Sequence, residues 1–112
     1  SGVWSFPSTG LWQVGHIGQI TPKVNDTVTF NIYATANNGT AWDQIVQSNI
    51  KSGSGAISSG KVNNFSLVNC TDTSNVKVKF TAGSFEDSNS ELNGNTEFNY
   101  TAFYFMRVGD SQ

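Results

Sequence analysis

Pro7 and Gly10 cut the opening of this chain into two short apolar runs. Val3-Trp4-Ser5-Phe6 lies before them and Leu11-Trp12-Gln13-Val14 after them. Proline has no N–H to give to a ladder, so no central strand runs through Pro7. Glycine accepts backbone angles that other residues resist, which suits Gly10 to a corner. The reading is strand, tight corner, strand. Beyond the corner Trp12, Val14 and His16 recur with period 2, which puts them on one face of a sheet with a buried side.

The same alternation continues down the chain. Thr27 to Thr35 is the clearest strand, with Val28, Phe30, Ile32 and Ala34 on one side and Thr27, Thr29, Asn31 and Thr35 on the other. Tyr33 sits on the polar side. Asn38-Gly39 is a strong hairpin signal and should return the chain into Ala41 to Ser48. Ile45 and Val46 fall on opposite faces there, as expected of a strand covered on both sides, with a neighbouring subunit as one cover. Lys51 to Lys61 is rich in Gly and Ser and reads as a loop with at most a short strand at Ala56-Ile57. Val62 to Asn69 is the next strand, with Phe65 and Leu67 on one face and Val68 on the other. Val76, Val78 and Phe80 then point inward, with Lys77 and Lys79 on the solvent side. Ala82 to Thr96 is polar and acidic and reads as an exposed loop. Glu97 to Val108 is the last strand; its two faces both carry large apolar groups, which suits a central strand. No capping signal precedes a 3.6-residue apolar stripe anywhere, so no helix is expected. Seven or so strands at this spacing make an all-β sandwich or jelly roll.

Length and composition agree. A chain of 112 residues suits one domain, residues 1–112, with a real core. Only 12% of it is charged, yet aromatic and β-branched residues are plentiful, so disorder is not expected. The net charge of −2 and the lack of a Lys/Arg cluster argue against nucleic acid as a partner. One cysteine, Cys70, excludes an internal disulfide. No apolar run reaches the length of a membrane span, so membrane insertion by a helix is not expected. The abrupt ends suit an excised or processed part of a longer protein.

Two motifs carry a resemblance. The order Phe6, Pro7, Gly10, Trp12 resembles the opening of the complement C-one-q globular head, a tumour-necrosis-factor-like domain. Tyr100-Thr101-Ala102-Phe103-Tyr104-Phe105 is similar to the final strand of that family. The richness in Asn, Ser, Thr and Gly is similar in texture to looser versions found on bacteriophage structural proteins. The resemblance implies a two-sheet antiparallel jelly roll that assembles as a homotrimer. It also implies a further strand before Gly2, supplied by an upstream segment or a partner chain. Trp12, Tyr100, Phe103 and Phe105 are the expected subunit-interface residues. The implied role is a non-enzymatic head or knob of a virion, extracellular when released. It would touch other virion proteins and a host-surface glycan or protein through loops that hold Asn38, Trp42, Glu86 and Asp87. A free carbohydrate-binding lectin that uses Trp42 is the alternative.

Chemistry is sparse. His16, the only histidine, reads best as a packed, hydrogen-bonded imidazole. No cysteine-enzyme signature surrounds Cys70, so a nucleophilic pair with His16 has little behind it. Glu86, Asp87 and Glu91 are oxygen donors of the kind calcium takes, but Leu92 stands where a calcium loop needs Gly; a solvated acidic loop is the simpler meaning, and no cofactor is expected. Trp4, Trp42 and Tyr33 suit a sugar platform or an interface, and packing is the plainer role of Trp4 and Trp12. Five Asn-x-Ser/Thr triplets begin at Asn25, Asn38, Asn64, Asn69 and Asn99, little more than this composition gives by chance. Asn99, inside the expected last strand, has no room for a glycan.

Overall fold

The computed structural model describes residues 2–54, 59–83 and 89–112. They form an all-β protein of two antiparallel four-stranded sheets, with no helix among the described residues. Strands β1 (Val3–Ser5), β2 (Gly10–Thr21), β3 (Thr27–Thr35) and β4 (Asp43–Lys51) come first. Strands β5 (Gly60–Cys70), β6 (Lys77–Gly83), β7 (Glu91–Leu92) and β8 (Ala102–Gly109) follow. The first sheet has the order β1-β6-β3-β4. In the second, β2 pairs with β5 along one edge and with β7 and β8 along the other.

The Pro7–Gly10 corner carries the chain from one sheet to the other, since β1 pairs with β6 and β2 with β5. The period-2 set on β2 points inward as read: Trp12, Val14 and His16 are buried, and Ile20 further along the strand is buried with them. Val28, Phe30 and Ile32 of β3 and Val78 of β6 meet them from the facing sheet. The interior is therefore two apolar clusters. One holds Phe6, Trp12, Val14, Ile32, Val68, Cys70, Val76 and Val78; the other holds Ile20, Val28, Phe30 and Val62.

Several boundaries differ from the reading, each for a local reason. The hairpin after β3 is a longer loop, 36–42, with Asn38 (φ 57°) and Gly39 (φ 88°) in left-handed backbone. Thr35 Oγ1 accepts from the N–H groups of Asn37 and Gly39, and Asn37 Oδ1 accepts from Ala41 N–H. Thus Ala41 and Trp42 belong to the loop. Ile45 and Val46 need no neighbouring subunit: the β3–β4 register shifts there, Ile32 opposing Val46 and Tyr33 opposing Gln44. Ile45 is the extra residue of a bulge, and both side chains pack on the first cluster. The polar stretch after β6 contains β7, which pairs Leu92 with Ile20. Asn93 N–H donates to Gln19 C=O at 2.8 Å and extends that short bridge.

The last strand begins at Ala102, not at Glu97, and it lies at an edge. β8 pairs with β2 alone, and its outer edge has no strand partner among the described residues. Phe98 and Tyr100 stack edge to face at 4.7 Å in the preceding segment instead of alternating across a sheet. Asn99 is exposed in that segment, so no strand packing keeps a glycan from it. Buried Asn64 is the acceptor without room. Ala56 and Ile57 lie outside the described residues.

Asp26 fastens the loops at one end of the sandwich. Its buried carboxylate accepts from Thr27 N–H at 2.8 Å and from Ser90 Oγ. Ser90 Oγ also accepts from Lys23 N–H at 2.9 Å, and Ser52 N–H donates to Asp26 C=O at 3.0 Å. The carboxylate thus joins the β2–β3 turn to the segment before β7, and the backbone carbonyl of the same residue joins it to the segment after β4. Asp26→Ala is expected to lower stability by about 2 kcal/mol, because charge-assisted hydrogen bonds are lost and buried donors are left unpaired. A urea-unfolding midpoint unchanged within error would refute this role.

Candidate functional site

Between the two apolar clusters the interior narrows to a polar waist. His16 on β2 has no exposure, and its ring lies 4.8 Å from Phe30, 5.7 Å from Phe80 and 6.3 Å from Phe103. Asn64 Nδ2 on β5 is 3.3 Å from His16 Nε2 and donates to Ser48 Oγ on β4 at 2.7 Å. With Nε2 accepting, the ring proton sits on Nδ1, which has no partner among the described residues. Burial lowers the His16 pKa from 6.5 to about 4, since an imidazolium here would lose its hydration. The imidazole is therefore neutral at pH 7 and serves as a packed ring.

The nearby hydroxyl, Ser48 Oγ, accepts from Asn64 Nδ2, and the one thiol is remote from the ring. Cys70 pairs in register with Gly10, whereas His16 pairs with Asn64. Six residues of strand put the thiol roughly 20 Å from the imidazole. Burial pushes the Cys70 thiol up, so it is held as the inert thiol. Among the described residues no cluster of His, Cys, Asp and Glu is arranged to hold a metal. Glu86 and Asp87, the calcium and receptor-contact candidates, lie outside the described residues; Glu91 is exposed on β7.

The expected interface residues divide. Trp12 packs on Phe6 at 5.6 Å between ring centroids, inside the protomer's own core. Phe105 also points inward, against Trp4, Phe6 and Phe80. Phe103 stacks on Phe80 at 4.7 Å but remains 45% exposed at the open margin of the sandwich. Tyr100 lines a shallow groove of about 200 Å³ with Ile17, Lys61 and Val62.

The exposed apolar surface lies elsewhere. On β5 the inward residues are Val62, Asn64 and Val68, so Phe65 and Leu67 project outward, 61% and 55% exposed. Phe65 and Tyr104 both oppose Gly15, and Leu67 and Met106 both oppose Gln13. These side chains share the outer face of the second sheet with Leu11 and Ile17. Gly15 makes this face flat: a Cβ there would lie 2.4 Å from Tyr104 Cζ, so only glycine lets the phenol cross the strand. Tyr104 Oη then accepts from Gln13 Nε2 at 3.3 Å. Phe65 and Leu67 were legible as one face of a strand, but Asn64 gave no sign that the other face is the buried one.

The outer face of the first sheet has a different character. Lys79 Nζ lies 4.4 Å from the Trp42 ring centroid and 5.1 Å from that of Tyr33. Trp42, expected as an open stacking platform, thus has an ammonium on its ring. Lys77, two residues along β6, donates through Nζ to Asn38 Oδ1. Asn38 also donates its backbone N–H to Asn75 C=O at 2.9 Å, which fixes the loop tip over β6. No protein-family model, no curated protein and no solved structure matches this chain.

Proposed function

We propose that this protein is a structural and binding module, a jelly-roll head that assembles with copies of itself, of the kind carried on virus fibres or capsids. The observation that carries the reading is the outer face of the second sheet. Leu11, Ile17, Phe65, Leu67, Tyr104 and Met106, with the uncharged Gln13 between Leu67 and Met106, form a largely apolar surface without a charged residue between Leu11 and Ile17. Monomeric soluble proteins rarely leave a contiguous apolar patch of that kind in water. A sister copy is the occupant that the absence of charge favours, because identical faces then bring no like-charge repulsion together. The strand path supports the jelly roll: β1–β2, β2–β3, β4–β5, β5–β6 and β6–β7 each cross between sheets. The resemblance of the Phe6–Trp12 and Tyr100–Phe105 motifs favours three copies, and the texture of the chain favours a bacteriophage particle. Among the described residues His16 and Cys70 lie far apart on the second sheet, which favours a binding role over a reaction between them. The lectin alternative loses the free face of Trp42.

Sedimentation equilibrium at micromolar concentration tests the assembly. Wild-type protein is expected to sediment as a trimer, and Phe65→Ser with Leu67→Ser as a folded monomer. Both residues are exposed in the protomer, so circular dichroism should be unchanged. A monomeric wild type, or a double variant that remains trimeric, would refute the assignment of this face.

A further inference from the structure

We propose that β8 is an acid-released strand: a proton taken up by His16 frees it from β2 and opens the sandwich at Phe103. The geometry around the ring carries the inference. Nε2 accepts from Asn64 Nδ2 at 3.3 Å. A proton on Nε2 sets donor against donor in that contact, and the same Nδ2 is already engaged with Ser48 Oγ. Nδ1 has no partner among the described residues. The imidazolium would be a buried charge with neither N–H satisfied, and water is what would satisfy it. No charge in the wall offsets it. The ring is faced by Phe30 from β3, Asn64 from β5, Phe80 from β6 and Phe103 from β8, with Ser48 of β4 behind Asn64. Neither β2 nor β3 carries a charged residue. Lys79 of β6 lies against Trp42, and Arg107 of β8 is held by Thr9 C=O and Asp110. Asp43 and Lys51 of β4, Lys61 of β5 and Glu91 of β7 are exposed.

Of the walls, β8 is the one that yields. β3 lies between β6 and β4, and β6 between β1 and β3. β5 holds β2 over eleven residue pairs in unbroken register. β8 holds β2 over seven, with a register shift at the Leu11–Trp12 end, and has no other strand partner among the described residues. Phe103 is already 45% exposed, whereas Phe30 is 2% exposed. Beside these rings is a cavity of about 70 Å³ whose lining includes Phe30, Phe80, Leu92 and Phe103. It has room for water, whose share of liquid volume is about 30 Å³. Water reaches the imidazolium by this route once Phe103 swings out with its strand. The hydrated ring of the open state titrates at 6.5, and the closed state holds it at about 4. The open state therefore takes up the proton first, and the ratio of open to closed rises about twentyfold from pH 7 to pH 5. β8 also carries Tyr104 and Met106 of the outer face, so its release removes part of that face. This last consequence, unlike the release itself, rests on the proposed assembly.

The test is amide hydrogen exchange, followed residue by residue by NMR at pH 7 and pH 5 and corrected for the intrinsic rate. The amides of β8 and β5 that pair with β2 are compared with those of β3, in wild type, His16→Leu and His16→Gln. Each sample is also sized by sedimentation. In wild type the β8 amides are expected to be less protected than those of β3 and β5 at both pH values. They should lose about twentyfold more protection on acidification. That loss should vanish in whichever His16 variant folds, and the wild-type comparison decides alone if neither does. Protection of β8 equal to that of β3 and β5 would mean one global unfolding and overturns the proposal. So does a β8 opening that ignores pH, or an acid response that survives the removal of His16. A trimer whose β8 amides ignore acid overturns this inference alone. A monomer at pH 7 that shows the acid release upholds it and overturns the proposed assembly.

Discussion

Acidification from pH 7 to pH 4 is expected to remove about 3 kcal/mol of folding free energy through His16 alone. The folded chain holds this imidazole near a pKa of about 4, against 6.5 for a solvated one. Above pH 6.5 neither state is protonated, and stability does not change with pH on account of this group. Between 6.5 and about 4 the unfolded chain takes up a proton that the folded chain refuses, so stability falls as pH falls. Below about 4 both states are protonated and the slope from His16 ends. The groups that face the ring are Phe30 from β3, Ser48 from β4, Asn64 from β5, Phe80 from β6 and Phe103 from β8. None is charged, so nothing in the wall offsets the desolvation. The Asp72 carboxyl, held below its ordinary range by Ser74 and Asn75, adds its own loss of stability from about pH 5 downward, so the part due to His16 is read from the difference between wild type and His16→Leu. Urea midpoints at fixed protein concentration from pH 7 to pH 4 measure the slope. His16→Leu should flatten it; parallel curves for the two proteins would show that the imidazole is not what titrates.

What the sequence made legible follows from how cleanly each strand separates an apolar face from a polar one. β2, β3 and β6 do so, and their inward residues were readable from alternation alone. β4 does not, because one bulged residue brings Ile45 and Val46 to the same cluster, and strict alternation has no place for a bulge. β7 rests on one pair, Leu92 with Ile20, too short to have a period. The aromatic run before β8 misleads for a different reason: Phe98 and Tyr100 satisfy each other locally. On β5 the pattern was visible but its sense was not, because polar Asn64 is buried and apolar Phe65 is exposed. The contact of Lys79 with Trp42 was hidden most completely. Lys77 and Lys79 read as a solvent face, which they are. That Trp42 closes over Lys79 follows from the register of β3 on β6 and the path of the loop after β3, neither of which short-range pattern encodes.

That register also fixes the other large effect, at Phe30. Its ring is buried against His16 and the Ile20–Val28–Val62 cluster, and it passes directly over Gly18 of the facing sheet. Phe30→Ala is expected to cost about 4 kcal/mol, from lost burial and from the cavity left between sheets that cannot collapse onto it. Gly18→Ala should also destabilise, by about 2 kcal/mol, although alanine suits a strand better than glycine does. The added Cβ would stand 2.8 Å from Phe30 Cζ and 3.2 Å from Cε1, closer than a carbon contact allows. The two residues are thus one packing unit, and a shorter side chain at position 30 should accommodate the methyl at 18. Phe30→Leu combined with Gly18→Ala is expected to be about 1 kcal/mol more stable than the sum of the single losses. Chemical unfolding of the four proteins of this cycle measures the coupling. Additive losses would mean that Gly18 is small for some reason other than the ring, and a Phe30→Ala protein within 1 kcal/mol of wild type would mean that the ring does not join the sheets.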